Sequence, residues 1–332
     1  MATVPLTLDE IDDLARTVLL ANGCDEANAA ALARTLTAAE RDGTVSHGLY
    51  RLAGNVASLR SGKVNGNARP VEQTLTPAAI RLDGDRGFAS LTLEHGVPLL
   101  AEAARANGVA VLLIRNSFHF AALWPEAEAI AAEGLAGLAC TVHTPMMAPF
   151  GAGEAFFSTN PLAFAWPRPE RDPYVFDMAT AAMARGEIGV AARDGHEIPP
   201  GVGLDADGNP TTDAAAVHDG GVILPFGGYK GSAIATMIEL LAAGLVGDWF
   251  SYEAAEVDNG DGGPAIGGQF LLALSPEVLA GPEWAEHSEA FLTRLASMEG
   301  VRVPGERRFA NRRSTAPREV DAELVASLRA LC

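Results

Sequence analysis

Near residue 70 the spacing of apolar residues changes, and no other feature of this 332-residue chain restricts its architecture as much. Before that point apolar residues recur at helical intervals; after it they gather in short β-type runs. Thr7 and Glu10 form a capping-box pattern, Ile11, Leu14, Ala15, Val18 and Leu19 then mark one face, and Gly23 stops the first helix. The spacing predicts a second helix from about Asp25 to Glu40, with Ala29, Leu32, Ala33 and Leu36 inward. A third is predicted to open in "RDGTVSHGLYRL", residues 41–52, with Leu49, Leu52, Ala53, Val56 and Leu59 as its buried stripe. "SGKVNGNARP" then breaks the period with Gly, Asn and Pro, which puts a domain boundary near residue 70.

Past that boundary "AAIRLDGDRG", "GVAVLLIRNS", "GLAGLACTVHT", "FFSTNPLAFAWP" and "YVFDMAT" read as strands, with helices between them at about 89–106 and 121–133. The turn-rich stretch 195–215 is long for an unstructured loop, so a hairpin turning at "DADGN" is expected inside it. Ile234, Met237, Ile238, Leu241 and Leu245 then mark a strongly patterned helix, and the last helices are expected at about 284–299 and 318–331. No internal repeat is present.

The acidic balance, a net charge of −18, repels phosphate backbones and makes nucleic acid an unsuitable partner. Three scattered cysteines, Cys24, Cys140 and Cys332, make neither a disulfide framework nor a tetrahedral metal site and suit the reducing cytoplasm. The opening residues are acidic where a signal peptide would be basic, and no run reaches the roughly 18 apolar residues of a membrane span, so neither export nor membrane anchoring is expected. No H-E-x-x-H, paired C-x-x-C or calcium-loop spacing occurs, so no metal is called for. The dinucleotide fingerprint G-x-G-x-x-G is also missing: "GAGEAF" at 151–156 has Phe156 where its third glycine would stand.

Three segments carry candidate chemistry. In an α-helix His47 and Arg51 share one side, opposite the leucine stripe, with Ser46 at the N-cap, where its hydroxyl serves either the helix end or the imidazole. That face is either a solvated polar face or a site in which His47 exchanges a proton and Arg51 grips a carboxylate. In "PFGGYKGSAIATMIELLAAG", residues 225–244, Gly227, Gly228 and Gly231 leave amides open at a helix start beside Lys230; this is either an anion site or a tight glycine turn with a solvated lysine. In "RNSFHFAALWPE", residues 115–126, Asn116 or Ser117 can cap a helix with His119 at its positive end, although a histidine among Phe118, Phe120 and Trp124 is as readily a core residue.

Taken in order, "SHGLYRL", "FHFAALWP", "STNPLAFAWP", "FDMAT", "FGGYKGS" and "PGE" resemble the type-2 malate/L-lactate dehydrogenase family of NAD(P)-dependent oxidoreductases, over about residues 5–330. Within it the likeness is greatest to the Δ1-piperideine-2-carboxylate/Δ1-pyrroline-2-carboxylate reductases. The resemblance implies a non-Rossmann α+β fold: a helical domain of residues 1–70 joined by C-terminal helices from about 284–332, and a cofactor domain over 71–283 built on a largely antiparallel mixed sheet, assembled as a homodimer. It implies His47 as proton donor with Ser46 and Glu187 as relay partners, and Arg51 and Thr159 as substrate contacts. Cofactor contacts fall on His119, Phe120, Ala121, Ala122, Leu123, Asp177, Met178, Ala179, Tyr229, Lys230, Gly305, Glu306 and Arg307.

Two positions depart from the subgroup's pattern. Glu187 stands where an Asp is usual, which adds a methylene to the relay. His143–Thr144 replaces an Asn-Ser type of pair close to the expected site, where substrate preference could shift. The activity the resemblance implies is reduction of a small cyclic 2-imino carboxylate to L-proline or L-pipecolate by NADPH, with NADH as the other possible reductant. The competing readings are a malate- or lactate-type 2-hydroxy acid dehydrogenase, which can use the same His and Arg, and a catalytically silent nucleotide-binding protein.

Overall fold

The computed structural model describes residues 2–332. A short strand β1 (Thr3–Leu6) leads into α1 (Leu8–Ala21), α2 (Glu26–Asp42) and, after an irregular link, α3 (Leu52–Arg60). The capping box forms: the Thr7 hydroxyl accepts the Glu10 N–H, while the Glu10 carboxylate accepts the Thr7 N–H at 2.8 Å. Asp25 caps α2 by accepting the Asn28 amide. The link is where the sequence reading needs correction. Residues 45–51 are two 3-10 turns, Val45–His47 and Leu49–Arg51, and the α-helix begins only at Leu52, so Ser46 is not an N-cap.

The next elements are β2 (Val71–Thr76), β3 (Ala79–Asp83), α4 (Ala89–Asn107), β4 (Val109–Arg115), α5 (Trp124–Ala132), β5 (Ala136–Thr141), β6 (Leu162–Trp166) and β7 (Tyr174–Met178). An excursion follows, with α6 (Arg185–Asp194), the small strands β8 (Gly203–Leu204) and β9 (Pro210–Thr211), α7 (Ala214–His218) and β10 (Val222–Ile223). The expected hairpin is β8–β9, its turn held by the Asp205 carboxylate accepting the amides of Asp207 and Asn209. α8 (Tyr229–Glu239) runs into a π-helical turn at Leu240–Leu245, and α9 (Ser251–Val257), β11 (Gln269–Leu274), α10 (Pro276–Ala280), α11 (Trp284–Ala296), α12 (Glu306–Arg313), β12 (Arg318–Asp321) and α13 (Ala322–Arg329) complete the chain.

Seven strands form the main sheet in the order β2-β3-β4-β11-β5-β6-β7, antiparallel throughout except for the parallel pair β3–β4. β11, a short apolar run whose period does not distinguish strand from helix, is the central strand, flanked by β4 and β5. Its alternation serves both faces: Leu271 and Ala273 join the core under α4 and α5, and Phe270 joins Ile238, Ala242 and Val246 of the α8 side. Residues 318–321, expected as helix, are β12, because they pair antiparallel with β1 and Asp321 then caps α13. Val320, Val325 and Leu328 thereby close the core of α1, α2 and α3.

Candidate functional site

The polar face of segment 45–51 is shaped by a buried carboxylate. Glu40, near the end of α2, accepts the Leu49 N–H at 2.8 Å, and its own pKa is raised by burial. A Cβ on Gly48 would lie 2.2 Å from the Glu40 oxygen, so only glycine lets the chain pass here. This contact makes the two short turns, and they present Ser46, His47 and Arg51 in a geometry no continuous helix would give. The Ser46 hydroxyl lies 2.9 Å from His47 Nδ1, which settles the alternative the sequence left open: it serves the imidazole. Arg51 donates from Nε to the Ser46 carbonyl at 2.7 Å.

Phe120 gathers the rest. Its ring stacks on His47, with centroids 6.3 Å apart, and Arg51 Cζ lies 3.8 Å from its centre. His143, at the end of β5, packs against the same ring at 5.0 Å. Burial, and then the charges of Arg51 and His119, push His47 down to about 4. Burial also lowers Arg51 to about 10, and among the described residues no carboxylate pairs with it. A half-buried guanidinium without an anionic partner among the described residues, beside a neutral imidazole, has the chemistry to receive a carboxylate.

The loop carrying Phe120 is not a helix start, contrary to the expectation for Asn116 and Ser117. α5 begins at Trp124 because the Asp177 carboxylate, at the end of β7, accepts the amides of Leu123 and Trp124 at 2.9 and 3.0 Å. Burial holds Asp177 up at about 6 against the pull of those two amides. His119 is buried and donates from Nε2 to Glu126 at 2.9 Å, so it anchors the loop.

The remaining candidates lie along β7 and the turn that follows it. Thr180 donates both its amide and its hydroxyl to the Thr159 carbonyl, and the Phe226 amide reaches the Thr180 carbonyl, so Thr159, Asp177 to Ala179 and the turn before Tyr229–Lys230 are neighbours. Arg308 donates to the Val175 carbonyl, which brings the Gly305–Arg307 start of α12 to the same strand. The glycine turn before α8 is largely closed, contrary to the open amides expected: Gly228, Lys230, Gly231 and Ser232 N–H groups bond to backbone oxygens within it. A Cβ on Gly231 would sit 2.3 Å from the Phe226 carbonyl, so that glycine serves the turn's tightness. The Lys230 side chain is exposed and unpaired among the described residues, as is Arg307.

Glu187 stands apart. It is exposed in the first turn of α6, its side chain has no hydrogen bond or ion pair among the described residues, and the structure does not bring it to His47. The sequence reading also missed a buried network: Glu239 accepts from Asn160 Nδ2 at 3.0 Å and from the Ser251 hydroxyl at 2.5 Å, and so fixes the bend at Thr159. Two signals pointed to it, a lone acid in the apolar helix "MIELLAAG" and an asparagine before proline, whose φ of 38° asparagine tolerates.

The sequence profile of the malate/L-lactate dehydrogenase family matches residues 6–329. The chain is 45% identical to the Delta(1)-pyrroline-2-carboxylate reductase of Ancylobacter novellus, over 99% of this chain and 97% of that one. It is 42% identical to the Delta(1)-pyrroline-2-carboxylate/Delta(1)-piperideine-2-carboxylate reductase of Pseudomonas aeruginosa, covering 98% and 99% of the two. The crystal structure of Δ1-piperideine-2-carboxylate reductase from Pseudomonas syringae superposes with a TM-score of 0.95 at 40% identity, covering 99% of this chain and 100% of that one.

Proposed function

The chain belongs to the malate/L-lactate dehydrogenase family, and from that premise we propose that it reduces Δ1-pyrroline-2-carboxylate or Δ1-piperideine-2-carboxylate to L-proline or L-pipecolate. Membership makes it an NAD(P)-dependent oxidoreductase. The observation that carries the reading is the unpaired Arg51 guanidinium and the His47 imidazole held against one phenyl ring. Arg51 grips the substrate carboxylate, each charge-assisted hydrogen bond contributing about 1.5–3 kcal/mol. The bound carboxylate offsets the Arg51 charge, His47 rises toward its ordinary pKa, and the imidazolium keeps the ring nitrogen of the imine protonated. Protonation makes C2 electrophilic. A bound nicotinamide dinucleotide would supply hydride to that carbon. Ser46 orients His47, and Thr159 is the second substrate contact.

The cofactor is assigned to His119 through Leu123, Asp177 through Ala179, Tyr229–Lys230 and Gly305 through Arg307. Two exposed cations, Lys230 and Arg307, stand without acidic partners at the starts of α8 and α12 in a chain of net charge −18, which suits an anionic dinucleotide. Arg307 as a partner for a 2′-phosphate makes NADPH the preferred reductant over NADH. A homodimer is supported by the exposed Tyr229, Met237, Leu240 and Leu245 along α8 and its π-turn, with Phe150 beside Tyr229; light scattering after gel filtration tests it. The unpaired cysteines suit the reducing cytoplasm. No described helix is long and apolar enough to cross a membrane.

The test is NADPH oxidation with pyrroline-2-carboxylate, piperideine-2-carboxylate, oxaloacetate and pyruvate. Preferred turnover of either imine is expected. Preferred turnover of a 2-oxo acid would instead favour a 2-hydroxy acid dehydrogenase, since the same pair can protonate a carbonyl oxygen.

A further inference from the structure

Three groups pack on the Phe120 ring, and only two of them have a part in the chemistry above. The third, His143, is fixed at both nitrogens. Its Nε2 accepts the Ala265 N–H at 3.2 Å, and its Nδ1 lies 2.9 Å from the Thr144 hydroxyl. Because Nε2 accepts, the ring proton is on Nδ1 and is given to Thr144, so a neutral imidazole has no hydrogen left for a substrate. Burial favours that neutral state. What His143 offers the site is shape: its ring lies 5.0 Å from the Phe120 centroid at a tilt of 56°, bracing the ring that Arg51 and His47 approach.

Retreat of Phe120 into the cavity it lines is limited. That cavity, shared with Leu36, Asn55, Phe88, Phe118 and Pro264, has a volume of about 20 Å³, space for a water molecule and no more. Arg51 and His47 are already in contact with this ring, so what His143 governs is where Phe120 stands as the apolar wall beside the pair.

Resting on the imine-reductase reading, we propose that His143 is a specificity-determining residue, which by bracing Phe120 fixes the apolar wall beside Arg51 and His47 and so the preference between five- and six-membered rings. The two imines differ by one methylene, a difference that a tight apolar wall discriminates by about 10–200-fold. The bulk of the imidazole carries this role, and its hydrogen bonds only keep it in place.

The experiment measures kcat/KM for both imines at saturating NADPH in the wild type, H143N and H143F. H143N is expected to shift the six-to-five ratio toward the larger ring by about tenfold, through the imine KM, with the NADPH KM unchanged. H143F, which keeps the ring and loses both hydrogen bonds, is expected to stay within about threefold of the wild-type ratio. A ratio in H143N within about threefold of wild type overturns the proposal, as does an equal shift in H143F. H143Q replaces H143N if the latter does not fold. If the wild type reduces neither imine, the functional reading fails, and calorimetric affinities of pyrrole-2-carboxylate and pyridine-2-carboxylate decide the bracing separately: the same shift in their ratio in H143N supports it, and no shift overturns it.

Discussion

Removing the charge of Arg51 should raise the pKa of His47, and the size of the rise follows from where Phe120 sits between them. Arg51 Cζ is 3.8 Å and the His47 centroid 6.3 Å from the Phe120 centroid, so charge and imidazole are no more than about 10 Å apart. With an effective dielectric constant of about 20, two unit charges at that separation interact by roughly 1.7 kcal/mol, slightly more than one pKa unit. Partial exposure and salt reduce this, so a rise of about one unit above the wild-type value near 4 is expected in Arg51→Gln. The remaining depression comes from burial, the larger cause, and from His119. Titration of the histidine Hε1 resonances by NMR in the cofactor-free protein, with His47 assigned by its loss in His47→Asn, measures it directly. Pyrrole-2-carboxylate bound to the wild type should produce the same direction of change, because a carboxylate on Arg51 offsets the same charge. The consequence for catalysis is a limb in kcat, where the complex loses activity as pH rises through the elevated His47 pKa. A His47 midpoint in Arg51→Gln that stays within about 0.3 unit of wild type would refute the electrostatic coupling on which carboxylate-triggered protonation depends.

His47 and His143 both have folded-state values near 4 against an ordinary 6.5, so the folded protein binds fewer protons than the unfolded chain between those values; stability is full above pH 6.5 and is lost as pH falls through 4, which thermal melts across that range will show, with a shallower loss in His143→Asn. Gly48→Ala drives a methyl into Glu40, at an expected cost of about 1–3 kcal/mol in urea unfolding and at least about tenfold in kcat/KM; wild-type values in both would reject the Glu40 anchor. Lys230→Ala should raise the apparent KM for NADPH more than that for the imine, and the reverse order would move Lys230 out of the cofactor site. Glu187→Gln should leave the His47 titration of the cofactor-free protein unchanged, since the two do not meet there, and an altered midpoint would place the carboxylate closer than the structure does.

How far the site was legible in the sequence depended on whether each feature is local. The capping box at Thr7 and the "DADGN" hairpin are decided by residues three or four apart, and such short-range hydrogen bonding can be read from spacing. β11 and β12 could not be found in that way. "QFLLAL" is a short apolar run that periodicity alone does not separate from a helix, and its place between β4 and β5 comes from strands more than a hundred residues earlier. The helical reading of 318–321 lost to pairing with β1 at the far end of the chain. The segment 45–51 shows how this affects chemistry: on an ideal helix Ser46 would compete for a backbone amide, whereas the long-range contact from Glu40 turns its hydroxyl to His47. Residue types thus marked which groups could carry a proton or hold an anion. Their common target was set by Phe120, an apolar residue whose importance is geometric, because its ring places Arg51, His47 and His143 around one point.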